Sequence, residues 1–133
     1  MPYRILDHTA DIGIEATAPD IPTLFSEAVR ACAAVIIDAE PGGPAASLPV
    51  AVESDDLAAL LAALLDEALW TFESTSRLPV AAELEVSPTT AAGTFEVVDD
   101  VTIGGPAIKA VTYHQLAVER TADGWRAQVF FDV

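Results

Sequence analysis

The chain has 133 residues, the length of one ordinary domain, and 52% of them are hydrophobic, a composition that excludes an intrinsically disordered protein. Its 21 acidic and 6 basic residues give a formal net charge of −15, which argues against tight direct binding to nucleic acid and favours a cation or a basic protein partner. The single cysteine cannot form an internal disulfide, and we see neither a secretory signal nor an apolar run of membrane-spanning length. We therefore expect one cytoplasmic domain over residues 1–133.

The first half of the sequence predicts strands on either side of one long helix. Asp20 is a candidate N-cap, and the apolar residues from Leu24 to Ile36 recur at helical spacing. A Pro-Gly-Gly-Pro sequence between two apolar segments indicates a loop. The predicted elements in chain order are strands at 3–6 and 11–16, a helix beginning after Asp20, a loop at 38–47 and a strand at 48–52.

The second half predicts another helix followed by several strands. Ser54 is the expected N-cap, and a leucine-rich stripe from Leu57 to Phe72 indicates a core face. Strands are then predicted at 80–86, 94–98, 108–119 and 125–133. This order predicts an α+β fold, a two-layer sandwich in which a mainly antiparallel sheet carries two helices packed on one face.

The last two predicted strands are expected to form a tight hairpin. With Asp123 and Gly124 as the central residues of the turn, outward counting places His114 opposite Val133. The alternation of side chains along the last strand places Asp132 on the face opposite to that of Phe131. The segment ending at His114 is therefore predicted to lie beside the end of the chain.

Acidic residues near the two ends of the chain suggest a cation site. Asp11 closes the polar cluster Asp-His-Thr-Ala-Asp at the start of a predicted strand, and Asp132 and Val133 end the last strand. The two carboxylates and the α-carboxylate of Val133 would supply three hard oxygen donors, which suit Ca²⁺ or Mg²⁺. The condition is that the fold brings Asp11 to Asp132.

Other polar residues near these positions leave alternatives open. Asp7 is either an additional ligand or a turn cap, and His8 is either a ligand or a hydrogen-bonded turn residue. His114 either orients its neighbours or belongs to an interaction surface, and Lys109 either balances the acids or lies in solvent. Neither a nucleophile elbow nor a phosphate-binding glycine pattern is evident, so a metal-dependent hydrolase is the weaker alternative.

Four sequence motifs in order resemble the archease family. They are Asp7-His8-Thr9-Ala10-Asp11-Ile12-Gly13, Glu53-Ser54-Asp55-Asp56-Leu57, Ile108-Lys109-Ala110-Val111-Thr112-Tyr113-His114 and Phe131-Asp132-Val133. Together they span essentially the whole chain. Gln115 departs from the family pattern, since a glycine or a lysine is frequent at that position. The loop before Ile108 also looks short and lacks the basic residues often found there.

The resemblance implies a protein cofactor that is not itself an enzyme. Archeases assist the RtcB-type RNA ligase, which uses GTP to join RNA ends in tRNA splicing and RNA repair, and they promote guanylylation of the ligase and its turnover. The family metal site maps here to Asp11, Asp132 and Val133, with Ca²⁺ expected first and Mg²⁺ or Mn²⁺ as alternatives. The rival function is a general chaperone or a modulator of RNA-modifying enzymes. Neither the resemblance nor the composition indicates an oligomeric state.

Overall fold

The computed structural model describes residues 2–7 and 11–133, with the main chain alone for Asp7. The described part of the chain forms strands and two helices that follow one another with short connections. Their bounds in chain order are β1 (Tyr3–Asp7), β2 (Asp11–Ala18), α1 (Ile21–Ile37), β3 (Ala46–Glu53), α2 (Leu57–Thr75), β4 (Leu78–Val86), β5 (Thr90–Val98), β6 (Ala110–Thr121) and β7 (Gly124–Asp132).

The strands form two antiparallel sheets. One sheet has four strands in the order β1-β2-β7-β6, and the other has three in the order β3-β5-β4. The predicted α+β class with antiparallel strands and two helices is confirmed, and the structure divides the strands between two sheets where the sequence predicts one. The first and last hairpins of the chain meet in the four-stranded sheet, because β2 pairs with β7 along its whole length. The start of β2 therefore lies beside the end of β7.

A continuous apolar core joins both helices to both sheets. The predicted core face of α1 is confirmed, and it includes Cys32, which is 2% exposed. Burial raises the pKa of the Cys32 thiol to about 12, so this cysteine stays protonated and unreactive at neutral pH. Neither helix in the described residues is both long and apolar enough to cross a membrane. The largest fully buried side chains include Phe25, Leu24, Leu60, Leu61, Leu64, Leu65, Ile14, Phe131, Phe95 and Leu78.

Aspartates cap the N-termini of both helices. The predicted cap of α1 is confirmed, since the Asp20 carboxylate accepts a hydrogen bond of 2.8 Å from the Thr23 N–H. In α2 the predicted cap Ser54 is wrong. Asp56 has the extended cap conformation and accepts from the Ala59 N–H at 2.8 Å. The Ser54 N–H instead donates to the carbonyl of Thr89, so the chain is still paired with a neighbouring turn at that point.

Helix side chains cover an edge of each sheet. The Ala82 N–H on β4 donates to the Ser26 hydroxyl of α1 at 3.0 Å, and a backbone hydrogen bond from Val111 on β6 reaches Asp66 of α2. Pro49 lies within the edge strand β3, where its missing N–H costs no ladder bond. These contacts satisfy edge groups that would otherwise be available to pair with another chain.

The turn between β6 and β7 differs from the predicted turn by one residue. Thr121 pairs with Gly124, so Ala122 and Asp123 are the central residues. Gly124 has a φ of +156°, and a Cβ there would lie 2.3 Å from the carbonyl oxygen of Ala18. Glycine is therefore required beside the turn because the end of β2 passes so close. The shifted turn also changes the predicted pairing of β6 with β7 by two residues.

A bulge in β6 changes the register by three more residues. The ladder breaks between Thr112 and Ala117, and Ala110 lies opposite Asp132. The predicted pairing of His114 with Val133 is therefore wrong, although the segment 109–114 does lie beside the end of β7 through its first residues. The predicted alternation of β7 agrees with the structure, because Phe131 is buried and Asp132 is exposed.

The revised cap of α2 can be tested by alanine substitution. Asp56→Ala should lower the free energy of unfolding by about 1 kcal/mol, because the Ala59 N–H loses its acceptor. Ser54→Ala is the matched control and should change stability by less than about 0.5 kcal/mol. Urea denaturation followed by circular dichroism measures both values, and a larger loss for Ser54→Ala would contradict the assignment.

Candidate functional site

The register of β2 and β7 places Asp11 directly opposite Asp132. Directly opposed residues of antiparallel strands point to the same face of a sheet, with Cβ atoms about 4.5–5.5 Å apart. The structure thus brings together the two acids that the sequence predicts as cation ligands. Asp11 is partly exposed and Asp132 is exposed, so the pair is open to solvent.

The other neighbour of Asp132 is the start of β6. Ala110 lies opposite Asp132 on that side, and the Lys109 N–H donates to the Asp132 carbonyl oxygen at 2.8 Å. An alanine methyl group at this position leaves the space around the carboxylate open. Val133, the third predicted ligand, follows Asp132 directly and is exposed. The main chain around Asp132 is therefore hydrogen-bonded on both sides while its carboxylate faces solvent.

The side chains of the remaining members of the polar cluster lie outside the described residues, so the roles predicted for Asp7 and His8 stay predictions. His8 lies outside the described residues, and the main chain of Asp7 pairs with Ile12 rather than with Asp11. In the part of the chain that the structure describes, no three His, Cys, Asp or Glu side chains are grouped closely enough to hold a metal ion. Among the described residues, the main-chain carboxylate of Val133, which directly follows Asp132, is a further protein oxygen donor.

An aromatic layer lies next to the acid pair on the same face. Phe130 is opposite Gly13, where a Cβ would lie 2.6 Å from the ring, so Gly13 leaves the space that the ring fills. The His114 ring packs against Phe130 with centroids 6.1 Å apart. His114 therefore contacts the layer beside the acids instead of lying opposite Val133.

The bulge of β6 explains the position of His114. Gln115 in this bulge has a φ of +52°, a left-handed conformation that favours glycine. This is the position at which the sequence departs from the pattern of the family that it resembles, where a glycine or a lysine is expected. Tyr113 in the same bulge is 67% exposed, so the bulge directs an aromatic side chain toward solvent.

An ion-pair network occupies the next layer. The Glu15 carboxylate accepts from the Arg4 and Arg126 side chains at 2.7 Å each, and Arg126 also donates to Glu119 at 2.9 Å. Hydrogen bonding to Arg4 and then to Arg126, opposed by burial, lowers the pKa of Glu15. The sequence did not predict this network, since Glu15 and Arg126 are 111 residues apart and only the β2–β7 register brings them together.

The chemistry of the acid pair fits a divalent cation. Two like charges directly opposed on neighbouring strands repel one another, and the four oxygens of Asp11 and Asp132 are donors that hard cations prefer. A bound cation would offset this repulsion, and solvent can complete its coordination. The residues present are therefore compatible with the predicted site.

Comparison with known sequences places the chain in a family. The sequence profile of the archease protein family (MTH1598/TM1083) matches residues 3–133. The chain belongs to the archease family. Relatives named protein archease include one from Methanosarcina barkeri, 34% identical across 98% of the chain and 95% of the relative, and one from Archaeoglobus fulgidus, 28% identical across the full length of both.

Solved structures share the fold of this archease-family chain. The solution structure of Methanobacterium thermoautotrophicum protein 1598 superposes with a TM-score of 0.77 at 24% identity and covers 99% of each chain. The crystal structure of a Thermotoga maritima archease, described as a possible chaperone, gives a TM-score of 0.66 at 21% identity and covers 96% of this chain and 94% of that one. These likenesses confirm the α+β fold.

The Glu15 network should make stability depend on acid. Because the folded-state pKa of Glu15 lies below the ordinary value of 4.5, its ion pairs stabilise the fold above that pH and are lost as the pH falls through the lowered pKa. Glu15→Gln should cost roughly 0.5–1 kcal/mol at pH 7, as expected for partly exposed pairs. Urea denaturation at pH 7 and pH 3 should show the cost shrinking at the lower pH. An equal cost at both would exclude the charge as its source.

Proposed function

We propose that this archease-family chain is a metal-binding activator of an RtcB-type RNA ligase, a protein cofactor that promotes ligase guanylylation and turnover in tRNA splicing and RNA repair. The observation that carries the proposal is the direct opposition of Asp11 and Asp132, the two acids expected to hold the metal, in a chain that belongs to this family. In this proposal the residues of the chain bind a cation, and the chain contacts the ligase.

The proposed ligands are Asp11, Asp132 and the main-chain carboxylate of Val133. Ca²⁺ is the first candidate because partly exposed carboxylates and solvent oxygens suit its flexible coordination, and Mg²⁺ and Mn²⁺ are alternatives. A divalent ion bound there would present positive charge to phosphate oxygens at the guanylylation site of the ligase. The main-chain hydrogen bond from Lys109 to Asp132 holds the strand end in place during such contact.

The charge of the chain supports a protein partner over bare RNA. With a formal net charge of −15, its long-range field repels nucleic acid and attracts a basic surface, such as that of an enzyme that binds RNA. Electrostatic attraction of this kind chiefly accelerates association. The proposed activator therefore acts by contacting the ligase and not by holding its RNA.

A general chaperone is the rival proposal because the Thermotoga archease is described as a possible chaperone. A chaperone that binds unfolded chains should expose a contiguous apolar patch. Two of the exposed large hydrophobic residues among those described, Ile5 and Tyr113, lie on strands at opposite edges of the four-stranded sheet, whereas Ile103 lines an apolar groove. The others are Trp70 and Val133. Stimulation of the ligase without suppression of protein aggregation separates the two functions.

Calcium should stabilise the fold through the acid pair. A ligand present at 100 times its Kd stabilises by about 2.7 kcal/mol, so millimolar Ca²⁺ should raise the Tm of the wild-type chain. Asp132→Asn should lose most of this increase, and without metal it should be at least as stable as wild type because the opposed charges are removed. Asp123→Asn, in the turn at the other end of β7, controls for general charge screening.

Differential scanning calorimetry with and without Ca²⁺, Mg²⁺ or Mn²⁺ provides these Tm values. The site is absent if none of the three ions raises the Tm of the wild-type chain more than that of Asp132→Asn.

The link from metal site to ligase activation can be tested at Asp11. Asp11→Asn keeps the size of the side chain but removes its charge, and it should reduce stimulation of ligase–GMP formation at least tenfold. The measurement uses purified RtcB-type ligase, labelled GTP and metal. Leu64→Ala is the control, because it should lose about 2–5 kcal/mol of stability through a core cavity yet still stimulate below its melting temperature. Full stimulation by Asp11→Asn would overturn the metal-centred proposal.

A further inference from the structure

A groove with an apolar lining lies next to the beginning of β6. It holds about 450 Å³ between the ends of both helices and the connection that precedes β6. We name it the Ile103 groove after a lining residue that is 60% exposed. Its apolar lining includes Ile36, Leu69, Phe72, Ile103, Pro106 and Ile108.

The wall of the Ile103 groove is held in place by close main-chain contacts. The Gly105 N–H donates to the carbonyl of Ile36 at 3.0 Å, which satisfies a carbonyl in the last turn of α1. A Cβ on Gly105 would lie 2.0 Å from the Val35 carbonyl oxygen, and one on Gly104 would lie 2.6 Å from the Ile37 carbonyl oxygen. Both glycines therefore permit the connection to lie directly on the helix end, and the groove is formed before any partner binds.

The rim of the groove is mainly acidic. Glu73 of α2 lines it, and Asp99 and Asp100 line a continuation of the groove that shares Phe72 and Ile103 with it. Asp99 pairs with Arg77 at 3.2 Å, whereas Glu73 and Asp100 are exposed acids. Lys109 is a basic residue that also lines the groove. An apolar floor with acidic groups on its rim complements an apolar side chain that has basic neighbours.

We infer that the Ile103 groove binds a segment of the partner ligase in which one aliphatic or aromatic side chain is flanked by Lys or Arg. This inference rests on the proposed function and adds a second contact to it. The apolar side chain would fill the groove, and the flanking cations would face Glu73 and Asp100. Lys109 lines the groove and its N–H also donates to the Asp132 carbonyl oxygen, so the groove lies next to the strand end that carries the acid pair.

The test measures binding of the intact chain to an RtcB-type ligase by calorimetry at low and high salt. Ile103→Ser should raise the Kd about tenfold, since it removes an apolar side chain that would be buried in the complex. Glu73→Gln should raise the Kd a few-fold at low salt and much less at high salt, because salt screens exposed charges. The concentration of each variant that gives half-maximal ligase–GMP formation should rise by the same factors.

Ile5→Ser is the matched control, because Ile5 is an exposed isoleucine, 43% exposed, on the opposite edge strand β1. It should bind within about twofold of wild type. Circular dichroism checks that each variant is folded, and Glu73→Gln tests the groove even if Ile103→Ser does not fold. The groove assignment fails if both groove variants bind like wild type, or if Ile5→Ser loses as much affinity as Ile103→Ser. In those cases the proposed function still holds if the wild-type chain stimulates the ligase. Absence of wild-type binding would overturn both.

Discussion

The register between β2 and β7 is the constraint on which the rest of the four-stranded sheet depends. It joins the first hairpin of the chain to the last, and every residue of β2 has a partner on β7. A slip by one residue would turn Ile14 from the core to solvent. It would also move Gly13 away from the Phe130 ring, which fills the space that this glycine leaves. The buried side chains and the fit of a ring over a glycine therefore lock the same alignment that opposes Asp11 to Asp132.

The acid pair is consequently imposed by the core and is not favourable in itself. Two carboxylates opposed across a ladder repel, and the energy that holds them together comes from the apolar face of the same strands. Their position at the start of β2 and the end of β7 limits the cost, because solvent screens charges at a strand end better than in the centre of a sheet. Deeper in the ladder the corresponding charge, Glu15, lies between Arg4 and Arg126. The structure thus pairs its inner carboxylate with cations and leaves the outer two facing each other.

Local signals predicted most of the elements. The spacing of apolar residues indicated both helices, and Asp20 was identified as a cap because the helical pattern starts directly after it. Ser54 was misassigned because three polar residues precede α2, and only the main-chain pairing of Ser54 with Thr89 shows that the helix begins later. Both residues have good capping chemistry, so the sequence alone does not separate them.

Long-range register was predicted less well, for a physical reason. When pairing is counted outward from a turn, an error in the turn shifts the register of the whole strand. The bulge at 113–116 shifts the register further, and the alternation of apolar residues does not indicate it. The opposition of Asp11 to Asp132 was expected from chemistry and from the family resemblance, not from pairing rules. The Glu15 network and the Ile103 groove depend on residues distant in sequence, and a single chain contains no local signal for either.

The beginning of β6 connects the two surfaces proposed for the partner. Its main chain is tied to Asp132 through Lys109 and to Asp66 through Val111, and the connection before it rests on the end of α1 through Gly105. The backbone that would meet a partner is therefore already ordered, so binding would not have to order it.

The side chains at the surface, Ile103 and Asp132 among them, are exposed and would lose rotamer freedom on contact. Such a surface favours a partner that supplies a few well-placed groups, namely one apolar side chain and nearby cations. Each of these contacts has to offset only the conformational entropy lost by the side chain that it touches. An unfolded chain would have to order its own backbone as well, and that additional cost favours a folded partner such as the ligase.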